Sequence, residues 1–110
     1  MEKFVTQALL FDFYGALLTD HQRKIFQDVV FDDLSLAEAA EEAGVSRQAV
    51  HDIIKRCTKA LEEYEEKLGL IALHQRVARK AEEIGTLAAS ASPEDLAKIA
   101  ELAREIAEEV

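Results

Sequence analysis

The spacing of apolar residues predicts helices along almost the whole chain. After Ser46, apolar side chains recur at alternating intervals of four and three residues, which is typical of a helix that packs along one stripe. The stripe comprises Val50, Ile54, Cys57, Leu61, Tyr64 and Leu68. Gly69 ends this pattern, because glycine is favoured just past the end of a helix. The sequence therefore predicts one long helix between Ser46 and Gly69.

Three shorter helices are predicted before the long one. The first should run from about Glu2 to Leu17. Apolar residues surround most of it, so we expect burial on more than one side, with a second subunit as a candidate cover. The second should follow Thr19 and end near Val30 or Phe31, and the third should run from Ser35 to Ala43. Each has a capping box at its start, formed by Thr19 with Gln22 and by Ser35 with Glu38.

A helix-turn-helix is predicted where the third helix meets the long one. Only Gly44, Val45 and Ser46 separate the two, which is the turn length of that motif. Gly44 suits a left-handed turn, and Ser46 is the expected N-cap. The residues expected to hold the two helices together are small or apolar: Ala39, Ala40, Ala43, Val45, Val50 and Ile53. This pattern is specific for the fold and weaker evidence for DNA binding.

Two further helices should follow Gly69. The first runs from Ile71 to about Ala89, and the second starts after the break Ser90-Ala91-Ser92-Pro93, with Ser92 as its cap. Their short connection predicts either an antiparallel hairpin or an oligomer contact. We therefore expect an all-α protein with two parts. Residues 1–70 should form a helix-turn-helix domain with a long recognition helix, and residues 71–110 a helical extension for packing or oligomerisation.

The charge of the chain is negative overall but positive in one segment. The 110 residues carry a formal net charge of -9. Residues 46–60, here called the basic segment, hold four basic residues and one acidic residue. In contrast, residues 1–45 carry a net charge of -6 and residues 61–70 carry -3. A polyanion would be repelled by most of this molecule, so nucleic acid should approach the basic segment.

The basic segment supplies the candidate nucleic-acid-binding residues. If the long helix enters a major groove, Arg47 can make a bidentate contact to guanine and Gln48 one to adenine. Residues farther along suit phosphates, as does the Ser46 hydroxyl. The predicted set is Ser46, Arg47, Gln48, His51, Lys55, Arg56 and Lys59. The alternative is that Ser46 only caps, Gln48 is solvated, and Arg47 and Lys55 pair with neighbouring acids.

The sequence offers no pattern for catalysis or metal binding. The single cysteine, Cys57, lies on the apolar stripe and is expected in the core; it allows no internal disulfide and suits a reducing cytosol. The three histidines lack metal-ligand spacing, and no glycine-rich loop suits a phosphate. We therefore predict no enzyme activity, metal or cofactor. Without a signal peptide pattern or an apolar run of about 20 residues, the chain should be cytoplasmic with no membrane span.

Three stretches of the sequence carry a family resemblance: LFDFYGALLT, SRQAV and LEEYEEKLGL. From about Leu10 to Leu70 the chain resembles the YlxM family of small bacterial helix-turn-helix proteins. The stretch LSLAEAAEEAGVSRQAV is also similar, more distantly, to region four, the promoter-reading domain of bacterial sigma factors. Two positions depart from the family pattern: His51 stands where an aromatic residue is favoured, and Ile53 where Asn is favoured.

The resemblance implies an all-helical fold, a DNA-binding regulatory role and, through gene neighbourhood, a link to the signal recognition particle pathway. Together with the apolar stripes, it leads us to expect a homodimer that binds duplex DNA at symmetric half-sites, with RNA as a second candidate. The alternative is a non-catalytic interaction module that binds protein or structured RNA of that pathway, with its acidic faces meeting a basic partner.

Overall fold

A computed structural model of the protein describes residues 3–90 and 92–110, and every regular element in these ranges is helical. The helices are α1 (Lys3–Tyr14), α2 (Asp20–Phe26), α3 (Leu36–Ala43), α4 (Arg47–Leu68), α5 (Leu70–Ser90) and α6 (Pro93–Glu109). A 3-10 turn, Gly15–Leu17, follows α1, and a π-helical segment, Gln27–Phe31, continues α2. The predicted all-α helix-turn-helix fold is confirmed.

The chain divides into two compact units, residues 1–69 and residues 70–110. In the second unit, α5 and α6 form an antiparallel hairpin, the first of the two arrangements expected from the sequence. Charged pairs link the two helices: Arg76 Nε donates to Glu109 Oε1 at 3.1 Å, and Lys80 Nζ lies 3.3 Å from the same oxygen. Ser92 caps α6, as predicted, while Ala91 of the predicted break lies outside the described residues.

The predicted caps of the first unit are all present. The hydroxyl of Thr19 and the side chain of Gln22 exchange hydrogen bonds with each other's backbone N–H, both at 3.1 Å. Ser35 and Glu38 form the same box at the start of α3, also at 3.1 Å. These hydrogen bonds from Ser35 hold the pKa of the Glu38 carboxyl below its ordinary value. Local sequence therefore sets where α2 and α3 begin.

The turn of the helix-turn-helix depends on the left-handed conformation of Gly44. Its φ is +70°, and a Cβ added there would meet no atom within 4 Å. We expect Gly44→Ala to lower the free energy of unfolding by about 1–2 kcal/mol, because backbone strain is its only cost. Gly85 of α5 has open space and no positive φ, so Gly85→Ala should raise the same free energy by about 0.5–1 kcal/mol. Urea unfolding measures the free energy of unfolding of the two variants. A change of the same sign in both would contradict this explanation.

The first two helical segments end at Leu17 and Phe31, as predicted, but each changes its type of helix before its end. The first helix is α-helical only to Tyr14 and then tightens, and its predicted start at Glu2 lies outside the described residues. At Gly15 a Cβ would lie 3.1 Å from the Phe11 ring, so a side chain there would require the ring to shift by a few tenths of an ångström. The second helix ends as a π-helical segment, in which the nearly buried carboxylate of Asp28 accepts a hydrogen bond from Lys24 Nζ at 2.7 Å. The spacing of apolar residues is the same with or without these two features, so the sequence pattern did not reveal them.

Phenylalanine rings join α1 to α2 and to the π-helical segment. Phe26 is fully buried, and its ring stacks on Phe11 of α1 with centroids 5.5 Å apart and an interplanar angle of 3°. Phe31 contacts both rings, at 5.2 Å from Phe11 and 6.0 Å from Phe26. Aromatic packing of this kind is a large part of the stability of a small core. We therefore expect Phe26 to be the centre of the first unit.

A second apolar cluster holds the helix-turn-helix together. Its buried members come from α2, α3 and α4: Ile25, Ala39, Ala40 and Val50. Ala43, Val45 and Ile53 pack against them, as the sequence predicted. Because this cluster fixes α4 against α3, the start of α4 has a defined position for any contact it makes.

The apolar stripe of α4 is covered mainly by its own chain. Val50, Cys57 and Leu61 are almost fully buried. At its far end Tyr14 of α1 donates a hydrogen bond from its hydroxyl to Glu65 Oε1 at 2.5 Å. Within its own chain α1 packs against α4 and, through Phe11, against Phe26. Phe4 and Val5 are 55% and 43% exposed, so the expected burial on more than one side is incomplete within a single chain.

Candidate nucleic-acid interface

The start of α4 is an exposed, capped helix end. Ser46 precedes it, and the Ser46 hydroxyl accepts a hydrogen bond from the Ala49 N–H at 3.0 Å. Ser46 therefore has the capping role that the alternative interpretation gives it. It does not exclude a second contact, because a hydroxyl that accepts a bond keeps its own proton to donate. Ser46 can cap α4 and still reach a phosphate oxygen.

Three predicted residues share one shallow groove. Arg47, Gln48 and His51 line it together with Leu36 of α3, and its volume is about 310 Å³. All three predicted side chains are exposed. The structure thus brings the predicted base-reading residues to one surface, beside the start of α3.

Asp52 lies beside two of these residues and accepts a hydrogen bond from one of them. Gln48 Nε2 donates to Asp52 Oδ1 at 3.0 Å, and His51 Nδ1 lies 3.6 Å from the same oxygen. Gln48 is therefore hydrogen-bonded rather than simply solvated. The sequence analysis did not predict this pair, although spacing of four residues on a helix is the signal for it. Asp52 also places a negative charge among residues that would face DNA.

Neutralising Asp52 should strengthen binding to a polyanion. Asp52→Asn keeps an oxygen that can accept from Gln48 while it removes the charge. We expect duplex affinity to rise about fivefold, since unit charges 4 Å apart in water interact by about 1 kcal/mol. Fluorescence anisotropy with a labelled duplex measures the change. Glu63→Gln, which removes the same charge farther along α4, should have less effect; equal gains in both variants would contradict a local role for Asp52.

Cations of the basic segment are free of ion pairs. Arg47, Lys55, Arg56 and Lys59 are exposed, and none forms a salt bridge within residues 3–90 and 92–110. The alternative in which Arg47 and Lys55 pair with neighbouring acids is therefore not what the structure has. An unpaired cation on a rigid helix is available to a phosphate without first losing a partner.

The predicted phosphate contacts do not all lie together. Lys55 and Lys59 line a second groove, of about 330 Å³, whose other wall includes Lys3 and Gln7 of α1. Arg56 lines neither this groove nor the one at Arg47. Sequence reasoning missed Lys3 and Gln7 because their position beside α4 depends on how α1 packs.

Ile53, one of the two positions that depart from the family pattern, faces inward. Its side chain packs against the buried cluster of the helix-turn-helix. A residue in that place stabilises the crossing of α3 and α4 and cannot contact a base. His51, the other departure, lies at the exposed groove. Of the two, only His51 can therefore alter recognition directly.

The charge of α4 changes sign along its length. Four cations lie between Arg47 and Lys59, and four glutamates follow at positions 62, 63, 65 and 66, with Lys67 as the one cation of the second half. The second half of the helix is net negative and would repel a phosphate backbone, whereas the first half would attract one.

Other chemistry has little support in the described residues. Cys57 is in the core, as predicted, and its burial raises the pKa of the thiol, which makes it a poor nucleophile at neutral pH. Among residues 3–90 and 92–110, no cluster of three or more acidic, histidine or cysteine side chains has the arrangement of a metal site. The same residues contain no helix with the length and apolar character needed to cross a bilayer.

Comparison with known proteins gives a consistent picture. A family model, UPF0122, described as "Putative helix-turn-helix protein, YlxM / p13 like", matches residues 1–102. A UPF0122 protein of Thermoanaerobacter sp. (strain X514) is 45% identical, with 97% of this chain and 96% of the relative covered. One of Symbiobacterium thermophilum is 53% identical, covering 70% of this chain and 72% of the relative. One of Bacillus cereus (strain AH187) is 55% identical over 68% of each. The family match is longer than the resemblance from Leu10 to Leu70 and extends into α6.

Proposed function

The chain belongs to the UPF0122 family of YlxM-like helix-turn-helix proteins, and from this and the surface of α4 we propose that it binds duplex DNA as a regulatory protein. The start of α4 enters the major groove. Arg47 and Gln48 contact base edges, and the lysines farther along the helix contact phosphates. Binding is non-catalytic.

The observation that carries the proposal is the set of unpaired cations at the exposed start of α4. Arg47 and Lys55 lie on the helix that follows the turn, and neither forms an ion pair in the described residues. A buried cluster holds α4 against α3, so the backbone from which these side chains extend has a fixed position before DNA arrives. Preorganised contacts lose less entropy on binding than mobile ones.

Electrostatics sets how binding should respond to salt. Each phosphate contact lowers the slope of log K against log salt by about 0.9. Phosphate contacts from Lys55 and Lys59 should therefore give a slope of about -2 per bound chain, by the same rule of about 0.9 for each. The remaining negative charge of the molecule should keep binding to other faces weak.

The test is binding of the purified protein to a pool of random duplex DNA and to signal recognition particle RNA, at low and high salt. A triple variant, Arg47→Ala, Gln48→Ala and Lys55→Ala, should lose duplex binding while its circular dichroism stays that of the folded protein. A matched triple variant of the second unit also removes two positive charges and one glutamine: Gln75→Ala, Arg79→Ala and Arg104→Ala. It should bind as the unsubstituted protein does.

Three outcomes are informative. Salt-sensitive duplex binding that only the first triple variant loses supports the proposal. Absence of duplex binding even at low salt overturns it. RNA binding without duplex binding favours the second candidate, an interaction module for structured RNA or protein. The acidic second half of α4 would suit a basic protein partner of such a module.

We also propose, from the family resemblance, that this function serves the signal recognition particle pathway and, from the apolar surface of the chain, that the protein acts as a homodimer. The exposed apolar side chains of α1, Phe4 and Val5, support a second copy as a partner. Sedimentation measures the oligomeric state directly. A monomer at all concentrations would remove the expectation of symmetric half-sites.

A further inference from the structure

The groove between α1 and α4 is basic on both walls. It lies where the start of α1 passes the middle of α4, and ammonium groups come from Lys3 on one side and from Lys55 and Lys59 on the other. Gln7 adds an amide, and Glu62 is the one acidic residue of the lining. Three cations against one anion around an open volume of about 330 Å³ favour an anionic occupant.

None of these cations is neutralised within the described part of the chain. Lys3, Lys55 and Lys59 form no salt bridge there. Thr58, also in the lining, donates its hydroxyl proton to the carbonyl oxygen of Ile54 at 2.9 Å and so is not a donor to the groove. The donors available to a ligand are the three ammonium groups, the amide of Gln7 and the imidazole N–H of His51, which lines this groove as well as the one at Arg47.

We propose that this groove binds a backbone phosphate of the duplex that α4 reads, and that Lys3 of α1 is a phosphate-contacting residue. The inference rests on the proposed function and adds to it a contact outside the helix-turn-helix. Lys3 and Lys59 hold the phosphate from opposite walls, and Gln7 donates to one of its oxygens. Glu62 marks the end of the contact, because the residues beyond it are acidic.

Distances along α4 place the groove at the level of the DNA backbone. At about 1.5 Å per residue, Lys55 and Lys59 lie about 12 and 18 Å from Arg47 along the axis. The major groove of B-DNA is about 12 Å wide and about 8.5 Å deep. When Arg47 is at the base edges, the two lysines are therefore beyond the groove floor, beside a flanking strand. Lys3 meets the same strand from α1.

The test is the salt dependence of duplex binding by Lys3→Ala. Losing one phosphate contact should make the slope of log K against log salt shallower by about 0.9 and weaken binding about eightfold at about 0.1 M salt. The loss should be equal for a preferred and a random duplex, because phosphates carry no sequence information. Glu62→Lys should act in the opposite direction, with a steeper slope and tighter binding. Lys67→Ala, the matched control on the acidic half of α4, should leave the slope unchanged.

The results separate this inference from the proposed function. One result is that the unsubstituted protein binds duplex, substitution of Arg47 abolishes this binding, and Lys3→Ala leaves the slope of log K against log salt unchanged. In that case only the proposed contact in the groove is wrong. If the unsubstituted protein binds no duplex, the proposed function fails first. Titration with inorganic phosphate distinguishes a third result. Saturable binding of free phosphate that duplex does not displace would mean that the groove serves a small phosphorylated ligand, which overturns the inference.

Discussion

Arg47→Glu is expected to weaken duplex binding about a hundredfold at about 0.1 M salt. The substitution changes the charge by two units, and each unit at a phosphate is worth about 0.9 of a decade at that salt. It also removes a side chain able to contact guanine through two hydrogen bonds, a contact worth about 1–3 kcal/mol against the wrong base. Arg47 is exposed at the first position of α4 and forms no ion pair in the described residues, so the fold should tolerate the change.

Arg104→Glu is the matched control for this variant. It makes the same substitution and the same change in net charge, on an exposed residue of α6 in the second unit. Anisotropy titrations on a duplex selected by the unsubstituted protein should show a small loss for Arg104→Glu and a large one for Arg47→Glu. Equal losses would mean that only net charge matters, and the start of α4 would no longer be the reading surface.

Phe26→Ala should have the largest effect on stability. Phe26 has no exposed surface and packs between the rings of Phe11 and Phe31, so its removal leaves a cavity as well as lost apolar contact. Truncating a buried phenylalanine costs about 3–5 kcal/mol. Small domains are stable by only about 5–15 kcal/mol in total, so the first unit should approach unfolding at ordinary temperature. Thermal unfolding followed by circular dichroism measures the loss.

Phe4→Ala provides the comparison, because Phe4 belongs to the same group of rings but is largely exposed. Its ring touches only the edge of the group, at 6.0 Å from Phe31. We expect a loss of less than about 1 kcal/mol, in line with partial burial. If the two substitutions cost the same, the stacked pair of Phe11 and Phe26 is not the centre of the core. Urea unfolding at several concentrations of protein would also show whether Phe4 contributes to a dimer.

The sequence predicted the features that depend on neighbouring residues. The capping boxes at Thr19 and Ser35, the left-handed turn at Gly44 and the cap at Ser46 are each formed within a few residues, and each is confirmed. The inward positions of α4, such as Val50 and Cys57, also follow from helical spacing alone. These observations were enough to predict the helix-turn-helix and to place the basic segment on its outer face.

Features that depend on tertiary packing were not predicted. The π-helical segment after Phe26 accommodates a nearly buried Asp28, and no spacing of apolar residues distinguishes it from an ordinary helix end. Lys3 reaches the groove beside Lys55 because α1 lies along α4, although the two lysines are 52 positions apart in the chain. The pairing of Gln48 with Asp52 is different, since its four-residue spacing was visible in the sequence. That contact was missed although its signal was present.

The concentration of positive charge in the basic segment of a chain whose net charge is -9 has a kinetic consequence. A protein that slides along DNA must remain attracted to the backbone in many orientations, which requires a broad basic surface. Here the residues outside the basic segment are acidic in sum, so most collisions in another orientation should end in rapid separation. Search for a target should therefore proceed by repeated free encounters in solution, with short residence on non-target DNA. Time spent on unrelated sequence would be low even where such sequence is abundant.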